Sequence, residues 1–168
     1  MAELNPGEGD WKRRLEESVA LFGHRNWIVV ADAAYPAQSS GGIETIRTGA
    51  DHFEVLRGVV EAIAAAKHVR ANLYLDDELR FVFESDAPGI VSYRQQLQLI
   101  LAGMDLSYFP HEQIIDKLDK SARIFRVLIL KTELGLPYTS LFFELGCGYW
   151  NDEAEKRLRE AIPRSTLS

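Results

Sequence analysis

The sequence predicts a single α/β domain in which helices pack in layers on a sheet. Its 168 residues are enough for one buried core and too few for a second domain of ordinary size. Short β-branched runs alternate with longer segments whose apolar residues recur at helical spacing. The chain is 46% hydrophobic and 26% charged, which is typical of a globular protein. The order of the strands in the sheet stays open at this point.

The first half of the chain begins with a polar leader over residues 1–9. A helix over 11–22 is predicted next, because Asp10 is a good N-cap and Gly23 a good stop. The elements predicted to follow are a strand over 27–31, a loop over 39–42, a helix over 53–67, a strand over 71–75 that ends in an acidic turn over 76–78, and a continuation of that strand over 79–83.

The second half repeats the alternation of helices and strands. Pro110 favours a helix start, and the segment 106–109 before it is ambiguous. Asn151 is a suitable N-cap for a strongly charged last helix. The predicted elements are helices over 92–102, 112–122 and 152–162, with strands over 124–130 and 140–145.

Charge and cysteine content narrow the function classes. The net charge is −6 and the basic residues are scattered, so neither a nucleic acid nor an anionic membrane surface is an expected partner. No apolar run approaches the roughly 18 residues that span a bilayer, and the leader lacks the apolar core of a secretory signal. Cys147 has no second cysteine to pair with, which indicates a reducing, cytoplasmic setting.

Few side chains in the sequence have the spacing of a known catalytic or metal site. The four histidines lack zinc-type spacing, and the commonest roles for His24 and His111 are contacts at helix ends. Tyr138 lies in a loop, where simple packing is the commonest role for a tyrosine. The carboxylates at 76–78 are of a type that suits Mg²⁺, although a solvated turn is the better interpretation.

Several segments in the right order resemble the RbsD/FucU family of ribose pyranases and fucose mutarotases. Gly23-His24 is followed by an apolar strand ending in Asp32-Ala33, which resembles the opening of that family. The segments 53–60, 111–113 and 136–140 resemble three later parts of it. The resemblance implies a layered α/β/α domain with a mixed sheet over 10–150, followed by a helical extension over 151–168.

The resemblance also implies a cofactor-independent catalyst that interconverts the ring forms of a free monosaccharide, ribose-like or fucose-like. It makes His24 the general acid/base and Asp32 a sugar-binding carboxylate. His111 and Tyr138 match further substrate contacts, and Ser140 stands where the family has an asparagine. The longer stretch between His111 and Tyr138 leaves the second contact open, and Lys117, Lys120 and Arg123 are alternatives to His111.

Members of this family form homo-oligomers in which a neighbouring subunit completes each pocket, so the resemblance implies the same for this chain. Two other functions remain open. One is a non-catalytic module that binds or senses a monosaccharide or a sugar acid on the same fold. The other, weaker one is a metal-dependent hydrolase that uses Asp76, Asp77 and Glu78. The primary expectation includes neither a cofactor nor a metal.

Overall fold

In the part of the chain that the structure describes, six strands form one mixed sheet, four α-helices pack against it, and a fifth helix without buried residues follows the last strand. The structure is a computed structural model and describes residues 10–164, so the predicted leader lies outside the described residues. The strands are β1 (Trp27–Ala31), β2 (Ile43–Arg47), β3 (Val69–Asp76), β4 (Leu106–Phe109), β5 (Val127–Lys131) and β6 (Leu141–Cys147). The helices are α1 (Asp10–Leu21), α2 (His52–Ala65), α3 (Ile90–Ile100), α4 (His111–Ala122) and α5 (Asp152–Ala161).

The strand order in the sheet is β2-β5-β1-β6-β3-β4. Strand β5 pairs in parallel with both β2 and β1, and β3 pairs in parallel with β4. Strand β6 lies between β1 and β3 and runs antiparallel to both. The carboxyl ends of five strands and the amino end of β6 therefore meet at one edge, which we call the carboxyl edge of the sheet.

Both faces of the sheet carry an apolar core, because strand side chains alternate between the faces. On one face, Ile28, Val30 and Phe143 pack with apolar residues of α1, α2 and α3. On the other face, Trp27 and Phe142 pack with the apolar residues of α4. The result is the predicted α/β/α layering with a mixed sheet.

The predicted elements agree with the structure except at three places. The predicted strand over 79–83 is wrong: a 3-10 helix, Asp77–Phe81, occupies this stretch, and only Leu79 of its residues is buried. Strand β2 was not predicted, because it includes charged side chains and none of its five residues is fully buried. The ambiguous segment before Pro110 is the edge strand β4. None of the helices in residues 10–164 has the length and apolarity to cross a bilayer.

Candidate functional site

Polar side chains from four separate parts of the chain meet at the carboxyl edge of the sheet. Asp32 follows β1, Asp76 is the last residue of β3, and His111 begins α4 two residues after β4 ends. Ser140 immediately precedes β6, whose amino end lies at the same edge. In open α/β sheets this edge is where small ligands commonly bind. The topology thus makes these four residues one candidate site.

His111 and Asp76 form a hydrogen-bonded pair in this site. The Nδ1 atom of His111 lies 2.9 Å from Oδ1 of Asp76, and the Asp76 side chain is only 1% exposed. Both oxygens of Glu78 accept the backbone N–H of His111, at 3.0 and 3.1 Å, which fixes the start of α4. Within residues 10–164 the other ring nitrogen of His111, Nε2, has no hydrogen bond. It is therefore available to a ligand.

The pair shifts the pKa values of both its members. The hydrogen bond to Asp76 raises the pKa of His111, against a smaller opposing effect of burial. Burial raises the pKa of Asp76, and the bond to His111 opposes that shift. A buried carboxylate that holds Nδ1 orients the ring and makes Nε2 a stronger base. This arrangement is suited to proton transfer.

Asp32 and Ser140 form a second pair beside the first. The hydroxyl of Ser140 donates to Oδ1 of Asp32 at 2.6 Å, and the backbone N–H of Asp32 donates to Ser140 Oγ at 3.1 Å. Ser140 is buried, whereas Asp32 is half-buried. Ser140 therefore orients the carboxylate of Asp32 instead of presenting a hydroxyl to solvent.

Tyr138 forms an aromatic wall at the same place. Its ring meets that of His111 edge-on, with centroids 5.9 Å apart, and its side chain is 42% exposed. Phe142 lies on another side of His111, at 6.4 Å. Tyr138 also has a φ of +58°, a left-handed conformation that is uncommon for a residue other than glycine. Strain of this kind is concentrated at functional sites.

His24 lies at the opposite end of β1 from this group. It is exposed, and its ring makes no hydrogen bond within residues 10–164. The next residue, Arg25, donates its backbone N–H to the carbonyl of Leu145, near the carboxyl end of β6. Five residues of strand, roughly 15 Å, separate this end from Asp32. One chain therefore brings together Asp32, His111, Tyr138 and Ser140 but not His24.

The acidic residues after β3 have separate partners. Asp76 bonds to His111, Asp77 to Arg80, and Glu78 to the start of α4. Residues 10–164 contain no group of three or more His, Cys, Asp or Glu side chains arranged to hold a metal ion. Lys117, the first alternative to His111, donates to the hydroxyl of Tyr74 and pairs with Glu144. Its ammonium group is thus already engaged.

Sequence reasoning missed one buried imidazole close to the site. His52 is 3% exposed, with Nδ1 3.0 Å from Thr132 Oγ1 and Nε2 3.1 Å from the Tyr93 hydroxyl. These partners are 80 and 41 residues away in the chain, so local spacing gives no signal of the contact. The pairing of Asp76 with His111, across 35 residues, was missed for the same reason.

The fold is that of an α/β protein with a mixed sheet, and its candidate site lies at the carboxyl edge of that sheet. The family model described as the RbsD / FucU transport protein family matches residues 11–146. The chain therefore belongs to the RbsD/FucU family. A search of curated protein sequences found no significant match.

A comparison with solved structures found similar chains at low sequence identity. The fucose mutarotase from Streptococcus pneumoniae, solved in complex with L-fucose, is 20% identical over 85% of this chain and 98% of its own, with a TM-score of 0.54. RbsD from Bacillus subtilis, complexed with D-ribose, is 18% identical over 87% of this chain and 98% of its own, with a TM-score of 0.49.

Proposed function

We propose that this chain binds a free monosaccharide at the carboxyl edge of its sheet and interconverts the ring forms of that sugar. The observation that carries the proposal is the hydrogen bond between His111 and buried Asp76, next to the carboxylate of Asp32. Membership of the RbsD/FucU family supports a sugar as the ligand. So does the fold shared with a fucose mutarotase that was solved with L-fucose.

Ring opening of a sugar moves one proton between two oxygens on the anomeric carbon. In the proposed reaction, neutral His111 takes the proton of the anomeric hydroxyl on Nε2 as the bond from the anomeric carbon to the ring oxygen breaks. The imidazolium then returns this proton to the former ring oxygen, which leaves an open-chain aldehyde. Closure by the reverse steps, on either face or from another hydroxyl, gives the other ring form. Positioned proton transfer of this type contributes about 10²–10⁴-fold.

The other residues of the site bind and orient the sugar in this proposal. Asp32 accepts hydrogen bonds from sugar hydroxyls, and Ser140 holds its carboxylate in place. The exposed face of Tyr138 packs against the C–H side of the ring. Since the sugar forms no covalent bond to the protein in this reaction, no nucleophilic side chain is required.

We also propose that His24 acts on the sugar from a second copy of the chain, within the homo-oligomer that the family resemblance implies. Support comes from its exposure and from its distance to the carboxyl edge within one chain. A second imidazole opposite His111 would protonate the ring oxygen while His111 deprotonates the anomeric hydroxyl. Two such groups shorten the lifetime of the charged intermediate.

The test is magnetisation-exchange NMR on D-ribose and L-fucose with wild-type protein and His111→Ala. We expect wild type to accelerate exchange for at least one sugar, and His111→Ala to reduce kcat/KM by about 10²-fold. Gln98→Ala is the control, because Gln98 is exposed on α3 and its side chain makes no hydrogen bond within residues 10–164. Exchange by His111→Ala at the wild-type rate would contradict the assigned role of His111.

A non-catalytic sugar-binding module is the second candidate function. The distance of His24 from the site favours it, because one chain then offers only one of the two imidazoles. This alternative expects saturable binding of a monosaccharide or sugar acid, measured by calorimetry, with no acceleration of exchange. Calorimetry and NMR on the same sample distinguish the two functions.

A further inference from the structure

A buried chain of hydrogen bonds links His52 to the loop that precedes β6. His52 is the first residue of α2 and contacts Thr132, just after β5, and Tyr93 on α3. The hydroxyl of Tyr93 also lies 3.0 Å from the carbonyl oxygen of Thr139. Thr139 stands between Tyr138 and Ser140, two residues of the candidate site. The His52 imidazole is thus linked to both ends of the loop over 132–140, directly at Thr132 and through Tyr93 at Thr139.

The number of hydrogens on His52, Thr132 and Tyr93 limits which of these groups donates in each hydrogen bond. Burial lowers the pKa of His52 to about 4, so near neutral pH the ring is uncharged and carries one N–H. Thr132 has one hydroxyl hydrogen and two neighbouring acceptors, Nδ1 of His52 at 3.0 Å and the carbonyl of Ala31 at 2.9 Å. The Tyr93 hydroxyl likewise has one hydrogen for Nε2 of His52 and the carbonyl of Thr139.

The backbone carbonyls of Ala31 and Thr139 distinguish the two possible hydrogen-bond patterns. The carbonyl of Ala31 already accepts the backbone N–H of Thr132 at 2.8 Å, so it does not depend on the Thr132 hydroxyl. The carbonyl of Thr139 accepts from the Tyr93 hydroxyl at 3.0 Å, and the His52 ring also interacts with the Thr139 backbone, which an N–H on the ring favours. Leaving a buried carbonyl without a donor costs about 1–3 kcal/mol. The favoured pattern therefore has Thr132 donating to Nδ1, Nε2–H donating to the Tyr93 oxygen, and Tyr93 donating to Thr139.

We propose that His52, as its Nε2–H tautomer, is a positioning residue that acts through Tyr93 to fix the Thr139 carbonyl, and thereby sets Tyr138 and Ser140 in the sugar site. The inference rests on the proposed function for the effect on KM of the sugar. The tautomer of His52 and the hydrogen bonds of His52 do not depend on that function. Tyr93 suits the role because its ring is fixed by packing, stacked on Phe53 at 5.3 Å.

Tyr138 and Ser140 act at different points of the site, so displacement of the loop affects binding more than proton transfer. Ser140 holds Asp32, and Tyr138 borders His111, whereas His111 itself is held by Asp76 and Glu78 from other elements. Loosening of the loop therefore weakens contacts made equally in the ground state and the transition state. Loss of such contacts raises KM and leaves kcat nearly unchanged.

Tyr93→Phe tests this directly, since it removes one hydroxyl and keeps the ring. We expect KM for the accelerated sugar to rise about five-fold, the loss of one hydrogen bond of ordinary strength, with kcat within about two-fold of wild type. Tyr108→Phe is the matched control, because the Tyr108 side chain is partly exposed and its hydroxyl makes no hydrogen bond within residues 10–164. A purely structural role would lower the melting temperature of Tyr93→Phe and leave KM unchanged, which would overturn the proposal.

His52→Gln and His52→Leu form a second pair of variants. The amide nitrogen of Gln reaches roughly the position of Nε2 and donates to Tyr93, whereas Leu has no donor. We therefore expect Gln to restore a KM near that of wild type and Leu to match Tyr93→Phe. Equal KM values for the two variants would overturn the proposal.

The tautomer is read without any sugar. A long-range ¹H–¹⁵N correlation spectrum of the folded protein at neutral pH identifies which nitrogen of His52 carries hydrogen, and we expect Nε2. A proton on Nδ1 would overturn the inference, since the Tyr93 hydroxyl would then donate to the ring. If wild type neither binds nor exchanges D-ribose or L-fucose while the Nε2–H tautomer is found, the proposed function fails and the direction of the hydrogen bonds stands.

Discussion

The carboxylate of Asp76 is almost completely shielded from water, yet it bonds directly to an imidazole at the surface of the site. Such a partner changes both the orientation and the basicity of a histidine. Its effect can be separated from substrate binding, because Asp76 lies behind His111 and is 1% exposed. The pH dependence of exchange is therefore the appropriate readout at the scale of the residue.

Asp76→Asn should move the acidic limb of the kcat/KM profile to lower pH. The proposed base is neutral His111, so activity rises with pH through the pKa of His111, and the bond to Asp76 raises that pKa. An amide still accepts a hydrogen bond from Nδ1 but lacks the charge that stabilises the imidazolium. Exchange NMR across the pH range measures the limb. An unmoved limb would show that another group controls it.

The residues of the site differ in how far the sequence predicts them. The Gly-His…Asp-Ala segment directed attention to Asp32, and the later segments to His111, Tyr138 and Ser140. Asp76 and His52 gave no such signal, because their partners lie 35 or more residues away and depend on the order of the strands. Pairings that tertiary structure creates are invisible to local spacing.

At the scale of the element, the apolar strands and long helices were predictable, whereas the outer strands of the sheet were not. Strand β1 is buried throughout, so its apolar run predicts it within one residue at each end. Among residues 10–164, strand β2 pairs with β5 alone, and it carries Glu44 and Arg47, so its sequence resembles a loop. The 3-10 helix Asp77–Phe81 follows β3 directly and has Leu79 as its buried residue, a pattern close to that of a short strand.

Gly148 lies where the chain leaves β6 and passes the start of β3. A Cβ atom there would lie 2.5 Å from the carbonyl oxygen of Lys67 and 2.8 Å from the backbone nitrogen of Val69. We expect Gly148→Ala to lower the free energy of unfolding by about 1–3 kcal/mol, because both neighbours are backbone and cannot turn aside. Urea denaturation measures the change.

The matched control for this substitution is Gly41→Ala. A Cβ atom at Gly41 has no neighbour within 4 Å, so its stability should stay within about 0.5 kcal/mol of wild type. Equal stability of the two variants would mean that the chain relaxes around residue 148 at little cost.

At the scale of the whole molecule, the two ends of β1 present different parts of the proposed machinery. The carboxyl edge holds the Asp76–His111 and Asp32–Ser140 pairs, and the opposite end holds exposed His24. In a symmetric oligomer one surface of a copy can contact a different surface of its neighbour, which would bring the two ends together. The proposal therefore makes the oligomer part of the active unit.

Mixing two inactive variants tests whether subunits share a site. If each site takes His24 from one copy and His111 from another, His24→Ala and His111→Ala each lose activity, and co-refolded mixtures regain up to about a quarter of wild-type exchange. Sedimentation confirms that the mixed species are oligomers. Full activity of His24→Ala, or no recovery in mixed oligomers, would refute the shared site.

The outer strand β2 has a consequence for concentrated solutions of the protein. A strand paired on one side exposes backbone groups that another chain can use to extend the sheet. Here Glu44 is engaged by Arg14, and Arg47 by Glu133, so a charged rim flanks this strand. Charged side chains on an outer strand oppose the addition of another chain to the sheet, so they disfavour aggregation along this side.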